Sequence, residues 1–250
     1  MTPATTSKGG RGSTLIVFAA ASLTESFTDL GRQFEAGHPG VRVAFNFGGS
    51  QLLRAQLEHG ASADVFASAN GKEMDAAVAS GIITAGKPQI FARNQLMVIY
   101  PKENPGRIAG LADLGKPGLK LDLAAASVPA GQYALDMLTK MSQDPQFGPL
   151  FADQVKKNVV SYENDVKAVV SKVRLGEADA GVVYATDVVG DPEHSVTAVP
   201  VPDKYNQTAT YPIARVEKAA QPDLADQFVA FVLSAAGQQT LARYGFIITK

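Results

Sequence analysis

The sequence predicts an α/β protein with largely parallel sheets. From Ser13 onward, short apolar runs alternate with segments whose apolar residues recur at helical spacing, which is typical of strands that are each followed by a helix. The chain has 250 residues and is 46 % hydrophobic, so it can bury one large core or two smaller ones. Because no linker rich in proline or glycine divides it, two lobes would require the chain to cross between them more than once.

The first predicted unit is a strand over residues 14–20, followed by a helix with an apolar stripe of Leu23, Phe27, Leu30 and Phe34. Further strands are predicted over residues 41–47, 64–69, 95–100, 119–124, 180–185, 196–201 and 210–216. Short helices are predicted around Leu53 and Met74, and longer ones over residues 130–141, 147–157, 164–175, 224–233 and 238–244. The helix over 164–175 has the clearest pattern, with valines at 166, 169, 170 and 173 before Gly176.

Composition argues against several classes of function. The 23 basic and 24 acidic residues are balanced and form no basic run, so a nucleic-acid partner is not expected. The absence of cysteine excludes disulfides and thiolate metal sites. No apolar run approaches the roughly 20 residues that span a bilayer. Residues 1–12 are small and polar, and we expect a flexible leader there rather than a signal peptide.

Charged side chains are few at four junctions where a predicted helix begins. The central residues of these junctions are Ser22, Ser50, Ala130 and Val166, and a further strand ends at Tyr184. Each junction admits an ordinary structural reading. Ser22 with Glu25 matches a capping box, Gly48 and Gly49 before Ser50 suit a turn, and the side chain of Val166 suits the core.

The same junctions also suggest an anion site. The amides of a first helical turn have no helical acceptor, and with the helix dipole they attract negative charge. Six or seven charge-assisted hydrogen bonds, each worth about 1.5–3 kcal/mol, would exceed the cost of burying a dianion. A site that only donates favours a fully deprotonated tetrahedral oxyanion, because a protonated phosphate requires an acceptor.

Several motifs follow one another from about Thr14 to the C-terminus: FAAASLT, FGGSQLL, GASADVFASA, SVPAGQYA, NDVKAVV, AGVVYATD and RYGF. In this ordered set, the chain resembles the periplasmic molybdate-binding proteins of ABC transporters. The resemblance implies the type II periplasmic-binding-protein fold, in which two α/β lobes joined by a hinge close on the ligand. It also implies capture of molybdate or tungstate and delivery to a membrane permease, in the periplasm or at the outer face of the cell membrane.

The resemblance assigns the ligand contacts by motif. Ser22 and Ser50 would bind through hydroxyl and amide, Ala130 and Val166 through backbone amides, and Tyr184 through its phenol, all to the oxygens of the oxyanion and not to the metal atom. Residues 13–93 with 208–250 would form one lobe and 94–207 the other. A monomer without a cofactor is expected. Relatives often carry Ala and Ser where this chain has Gly48 and Gly49, which leaves the selectivity among molybdate, tungstate and sulfate open. Lipid anchoring is left open as well.

Three alternatives stay open. A receptor for sulfate or phosphate would share the fold, although no Arg or acceptor stands at the junctions. An enzyme would need a base for Ser22 or Ser50, and the histidines at 38, 59 and 194 lie in turns or loops. The effector domain of a transcription regulator would share the fold as well, but no helix-turn-helix fits before Thr14.

Overall fold

The computed structural model describes residues 12–84, 86–191 and 193–249. Of the predicted leader, only Gly12 falls within the described residues. The strands are β1 (Ser13–Ala20), β2 (Val41–Gly48), β3 (Val65–Ala67), β4 (Gln89–Asn94), β5 (Leu96–Pro101), β6 (Leu121–Ala124), β7 (Val159–Glu163), β8 (Ala180–Tyr184), β9 (Val196–Pro200), β10 (Ala209–Arg215) and β11 (Ile247–Ile248).

The helices alternate with these strands over most of the chain. They are α1 (Thr24–Gly37), α2 (Ser50–Glu58), α3 (Gly71–Ala79), α4 (Pro129–Gln143), α5 (Phe151–Lys157), α6 (Val166–Arg174), α7 (Ala185–Val189), α8 (Pro222–Leu233) and α9 (Ala235–Arg243). Two 3-10 turns, Ala21–Leu23 and Leu111–Gly115, precede α1 and β6. The helix predicted from residue 147 begins only at Phe151, because a turn ending at Gly148 (φ 81°) separates Phe147 from it.

The strands form two sheets, and the expectation of largely parallel sheets is wrong. The six-stranded sheet has the order β11-β4-β10-β3-β1-β2, and the five-stranded sheet has the order β7-β6-β8-β5-β9. In each sheet only the strands of β-α-β units run parallel: β1 with β2 and β3, and β6 with β7 and β8. β4, β5, β9 and β10, which flank the two crossings between sheets, pair antiparallel with their neighbours.

The predicted apolar stripes form the core. On α1, Phe27 packs against Phe91 with ring centroids 5.6 Å apart, and Phe34 packs edge-on against Phe228 at 5.3 Å. The four valines of α6 are buried over the second sheet. Gly181 of β8 allows this close packing, since a Cβ there would lie 2.7 Å from a methyl of Val169.

Candidate ligand-binding site

One small cavity lies between the two sheets, at the carboxyl ends of their parallel strands. All five residues predicted as ligand contacts line it: Ser22, Ser50, Ala130, Val166 and Tyr184. Open α/β sheets commonly bind ligands at this edge. The structure therefore brings together residues that are up to 162 positions apart in the sequence, while their role as ligand contacts stays a prediction.

The cavity is narrow and carries no basic side chain. Its volume is about 10 Å³, whereas pockets for organic ligands span about 300–1,000 Å³. Asp165 carries the one charged side chain among the described lining residues. Its Oδ1 accepts from the amide of Ala168 at 3.0 Å and so caps α6. Apart from Asp165, the described lining residues are neutral.

Ser22 lies in the 3-10 turn between β1 and α1. The predicted capping box is wrong, because no side chain caps either this turn or α1. The Ser22 hydroxyl lies instead 2.9 Å from the phenol oxygen of Tyr211 on β10. Both side chains are buried. A contact between the turn after β1 and a residue of β10, 189 positions away in the sequence, thus holds the first junction.

Ser50 is the first residue of α2, and its hydroxyl oxygen accepts from the amide of Ala69 at 3.0 Å. Gly49 precedes it with ordinary extended backbone, and a Cβ there would lie 2.4 Å from the carbonyl oxygen of Asn164. Gly48 has more room, since its nearest neighbour would be a methyl of Leu53 at 3.6 Å. Of the two glycines, Gly49 is required by the close approach of the two sheets.

Ala130 and Val166 occupy the first turns of α4 and α6. Pro129 opens α4 at the position where a missing amide proton costs least. Gly131 must be glycine, because a Cβ there would lie 2.1 Å from the carbonyl oxygen of Ala125. The amides of Ala130 and Val166 have no preceding helical carbonyl to accept their protons. Both are therefore free to donate at the cavity.

Tyr184 ends β8 with a fully buried side chain. Among the described residues, its hydroxyl has no hydrogen-bond partner, although it lines the cavity. Burial, together with the neighbouring Tyr211, raises the pKa of Tyr184 well above its usual value, so the phenol keeps its proton. A buried hydroxyl without a partner costs about 1–3 kcal/mol. This donor points to a ligand that accepts.

The family model for bacterial extracellular solute-binding proteins matches residues 15–247. The chain belongs to this family. It is 41 % identical over 244 residues to the molybdate-binding protein ModA of Mycobacterium bovis, an alignment that covers 98 % of this chain and 87 % of that protein. The architecture is the predicted type II periplasmic-binding-protein fold.

Two solved structures extend the comparison. The substrate-binding domain of a putative molybdenum ABC transporter from Clostridium difficile has a TM-score of 0.69 and 28 % identity, covering 95 % of this chain and all of that one. The sulfate-binding protein SubI of Mycobacterium tuberculosis has a TM-score of 0.86 but 17 % identity, covering 95 % of this chain and 88 % of that one. At that identity, the second likeness shows the fold alone.

Polar contacts bridge the two sheets of this solute-binding protein beside the cavity. Lys167, next to Val166, lies 2.8 Å from Glu25 of α1 and 3.0 Å from Asp187 of α7. Burial opposes the charge of Lys167, but the two carboxylates outweigh it and raise the pKa of the lysine. Gln51 donates across the cleft to the carbonyl oxygen of Asn164 at 3.0 Å. These contacts join elements of the two sheets directly beside the cavity.

The histidines lie away from both cavity serines. The His38 ring stacks on Phe34 with centroids 4.0 Å apart, and His59 bonds the carbonyl oxygen of Ala55 through Nδ1 at 2.7 Å. His194 is exposed. Nowhere in the described ranges do three His, Asp or Glu side chains gather as a metal site. In the same part of the chain, no helix combines the length and apolar character needed to cross a bilayer.

Sequence reasoning missed two contributors to the site. Tyr211 sits inside β10, where its spacing gives no sign that its hydroxyl meets Ser22. Ala69 supplies a backbone amide to Ser50, and no side-chain type announces such a donor. A stronger signal is available for Tyr211, because a buried tyrosine hydroxyl usually needs a polar partner.

Proposed function

We propose that this protein is the substrate-binding component of an ABC importer for molybdate or tungstate, acting in the periplasm or at the outer face of the cell membrane. The observation that carries the proposal is a small cavity where hydroxyls and first-turn amides converge without a basic side chain. The 41 % identity to a molybdate-binding relative supports the choice of ligand. The partners proposed are the oxyanion and a membrane permease, and the protein is proposed to act as a monomer without a cofactor.

The ligand is held by donors alone. The hydroxyls of Ser22, Ser50 and Tyr184 and the free amides of the four helical starts supply more than six donors. At about 1.5–3 kcal/mol for each charge-assisted hydrogen bond, seven donors sum to about 10–21 kcal/mol, a range that includes the roughly 12 kcal/mol that nanomolar affinity requires. A protonated oxyanion would find no acceptor for its proton among these contacts. The site therefore favours dianions that are fully deprotonated at neutral pH.

We propose further that residues 13–93 with 208–250 move as one lobe and residues 94–207 as the other. The two crossings of the chain, after Asn94 and before Ala209, would form the hinge. Ligand contacts come from both sides, so binding would hold the lobes together. Small-angle scattering should then report a smaller radius of gyration with molybdate than without it. An unchanged radius would contradict hinge closure.

Sulfate is the second candidate ligand, because a donor-only site also suits this dianion and the sulfate-binding SubI shares the fold. The size of the ion relative to the cavity would then distinguish molybdate from sulfate. No catalytic role is proposed, since neither cavity serine has a histidine beside it in the described part of the chain.

Thermal melts with four oxyanions test the proposal. Molybdate and tungstate should raise the melting temperature strongly, because a ligand at 1,000 times its Kd adds about 4 kcal/mol of stability. Sulfate and phosphate at the same concentration should have smaller effects. Equal shifts with all four, or no shift with molybdate, would refute the assignment. Metal analysis of protein purified without added oxyanion provides an independent measurement.

A further inference from the structure

A chain of buried hydrogen bonds leads from the crossing between the sheets to the cavity. The Asn94 side chain accepts from the amide of Gln95 at 2.9 Å through Oδ1. Its Nδ2 donates to Thr186 Oγ1 at 2.8 Å and to Tyr211 Oη at 3.4 Å. Tyr211 Oη in turn lies 2.9 Å from Ser22 Oγ, which lines the cavity. All four side chains in this chain are buried.

The donor and acceptor of each hydrogen bond in this series follow from the first bond, between Gln95 and Asn94. A backbone N–H only donates, so the group facing Gln95 must be the amide oxygen of Asn94, which leaves Nδ2 to face Tyr211. Tyr211 Oη therefore accepts from Asn94. The oxygen that lies at a short hydrogen-bond distance from it is that of Ser22, at 2.9 Å. Ser22 Oγ accepts the proton of Tyr211, and the serine proton is left to point into the cavity.

We infer that Tyr211 is a positioning residue that fixes the Ser22 hydroxyl as a donor toward the ligand and so excludes protonated oxyanions. The inference rests on the proposed function. Ser50 has its direction fixed differently, because its oxygen accepts from the main-chain amide of Ala69, which cannot turn. Of the two serines, Ser22 is the one whose hydroxyl direction depends on another side chain.

Two further observations agree with this role. Tyr211 is fully buried, packed edge-on against Phe246 with ring centroids 5.3 Å apart, so its hydroxyl is held in place. Burial raises the pKa of Tyr211 far above its usual value, so the phenol is a permanent donor. Without this donor, the Ser22 hydroxyl can rotate and accept a proton from hydrogen phosphate. Tyr211 thereby influences selectivity without touching the ligand.

The test is Tyr211→Phe, measured by calorimetric titration with molybdate and with inorganic phosphate. Molybdate binding should weaken about tenfold, and the preference for molybdate over phosphate should fall by at least about threefold. Tyr205→Phe is the matched control, because it removes a buried hydroxyl that bonds Asp144 away from the cavity. This control should bind both ions like the wild type.

A double variant separates positioning from a general loss of structure. If Tyr211 acts through Ser22, adding Tyr211→Phe to Ser22→Ala should change molybdate affinity by less than about twofold, whereas a structural effect would add in full. Should Tyr211→Phe fail to fold, Asn94→Asp tests the same chain with no change in shape. The new carboxylate would accept the proton of Tyr211, and Tyr211 Oη would then accept the proton of Ser22. The ratio of molybdate affinity to phosphate affinity should fall in this variant as well.

The possible failures are distinguishable. Wild-type protein that does not bind molybdate would refute the proposed function. Wild-type protein that binds molybdate, together with a Tyr211→Phe variant of unchanged affinity and selectivity, would overturn the role of Tyr211 alone. Full additivity with Ser22→Ala would also overturn it.

Discussion

Tyr184→Phe is the substitution that isolates a single donor of the proposed site. It removes one oxygen and keeps the ring, which packs against Tyr211 with centroids 6.0 Å apart. Among the described residues, the lost hydroxyl has no protein partner. The substitution therefore breaks no hydrogen bond to the described protein, and its main effect should fall on the ligand.

The expected magnitude follows from the charge of the ligand. A hydrogen bond to a charged group is worth about 1.5–3 kcal/mol, which corresponds to a Kd about 10- to 150-fold weaker. At a fixed saturating concentration, the stabilisation by ligand falls by the same free energy. For a domain of this size, 1 kcal/mol shifts the melting temperature by about 2–4 °C, so the rise caused by molybdate should shrink by about 3–12 °C.

Calorimetric titration gives the affinity, and melts with and without molybdate separate binding from folding. Tyr162→Phe is the matched control, because Tyr162 lies on the same side of the cleft with its side chain half exposed. Because the lost hydroxyl has no protein partner, the ligand-free melting temperature of Tyr184→Phe should not fall below that of the wild type. Unchanged molybdate affinity, or a loss matched by Tyr162→Phe, would refute the assignment of this phenol as a ligand donor.

Three other substitutions address separate features. Ser50→Ala should weaken molybdate binding by more than about 1.5 kcal/mol in calorimetry, and an unchanged Kd would remove Ser50 from the site. Glu25→Gln breaks the salt bridge to Lys167 and should raise the Kd for molybdate about two- to fivefold at low salt, and by less at high salt. Glu58→Gln, which breaks the salt bridge between Glu58 and Arg54, is the control and should leave the Kd unchanged. Burial, with Glu163 nearby, raises the pKa of Asp122 to about 7, so its contribution to stability is lost as pH rises from about 4 to about 7. Asp122→Asn should then stabilise the protein by up to about 4 kcal/mol more at pH 8 than at pH 4 in chemical denaturation, and a pH-independent difference would contradict the shift.

The sequence predicts best the elements that bury a periodic apolar face. The stripe of α1 and the four valines of α6 lie in the core as expected, since helical spacing alone decides which side chains share a face. The prediction is weaker where strands carry polar residues. β4 and β7 were missed, because β4 exposes Gln89 and Ile90 and β7 is an edge strand with partly exposed side chains.

The candidate site, too, could be predicted from the sequence only in part. Its positions at the starts of helices could be predicted, because first-turn amides and small residues follow from local sequence. The partners of these positions could not. Glu25 fits a capping box by spacing, yet it meets Lys167 across the cleft. Tyr211 reaches Ser22 only because β10 returns to the first sheet after the chain has built the second. Long-range contacts of this kind leave no local pattern.

In the proposed site, binding and closure would be one event. The direct polar contacts across the cleft include Lys167 with Glu25 and Gln51 with Asn164. Partly exposed pairs of this kind contribute about 0.2–1 kcal/mol each, whereas the proposed ligand bonds contribute several times more in sum. A ligand shifts a conformational equilibrium only by its differential affinity for the two states. Because Ser22 and Ser50 lie on one side and Ala130, Val166 and Tyr184 on the other, only the closed state can offer all the donors to one ion. Substitutions at the bridge should therefore change Kd modestly, and substitutions at the donors should change both Kd and the extent of closure.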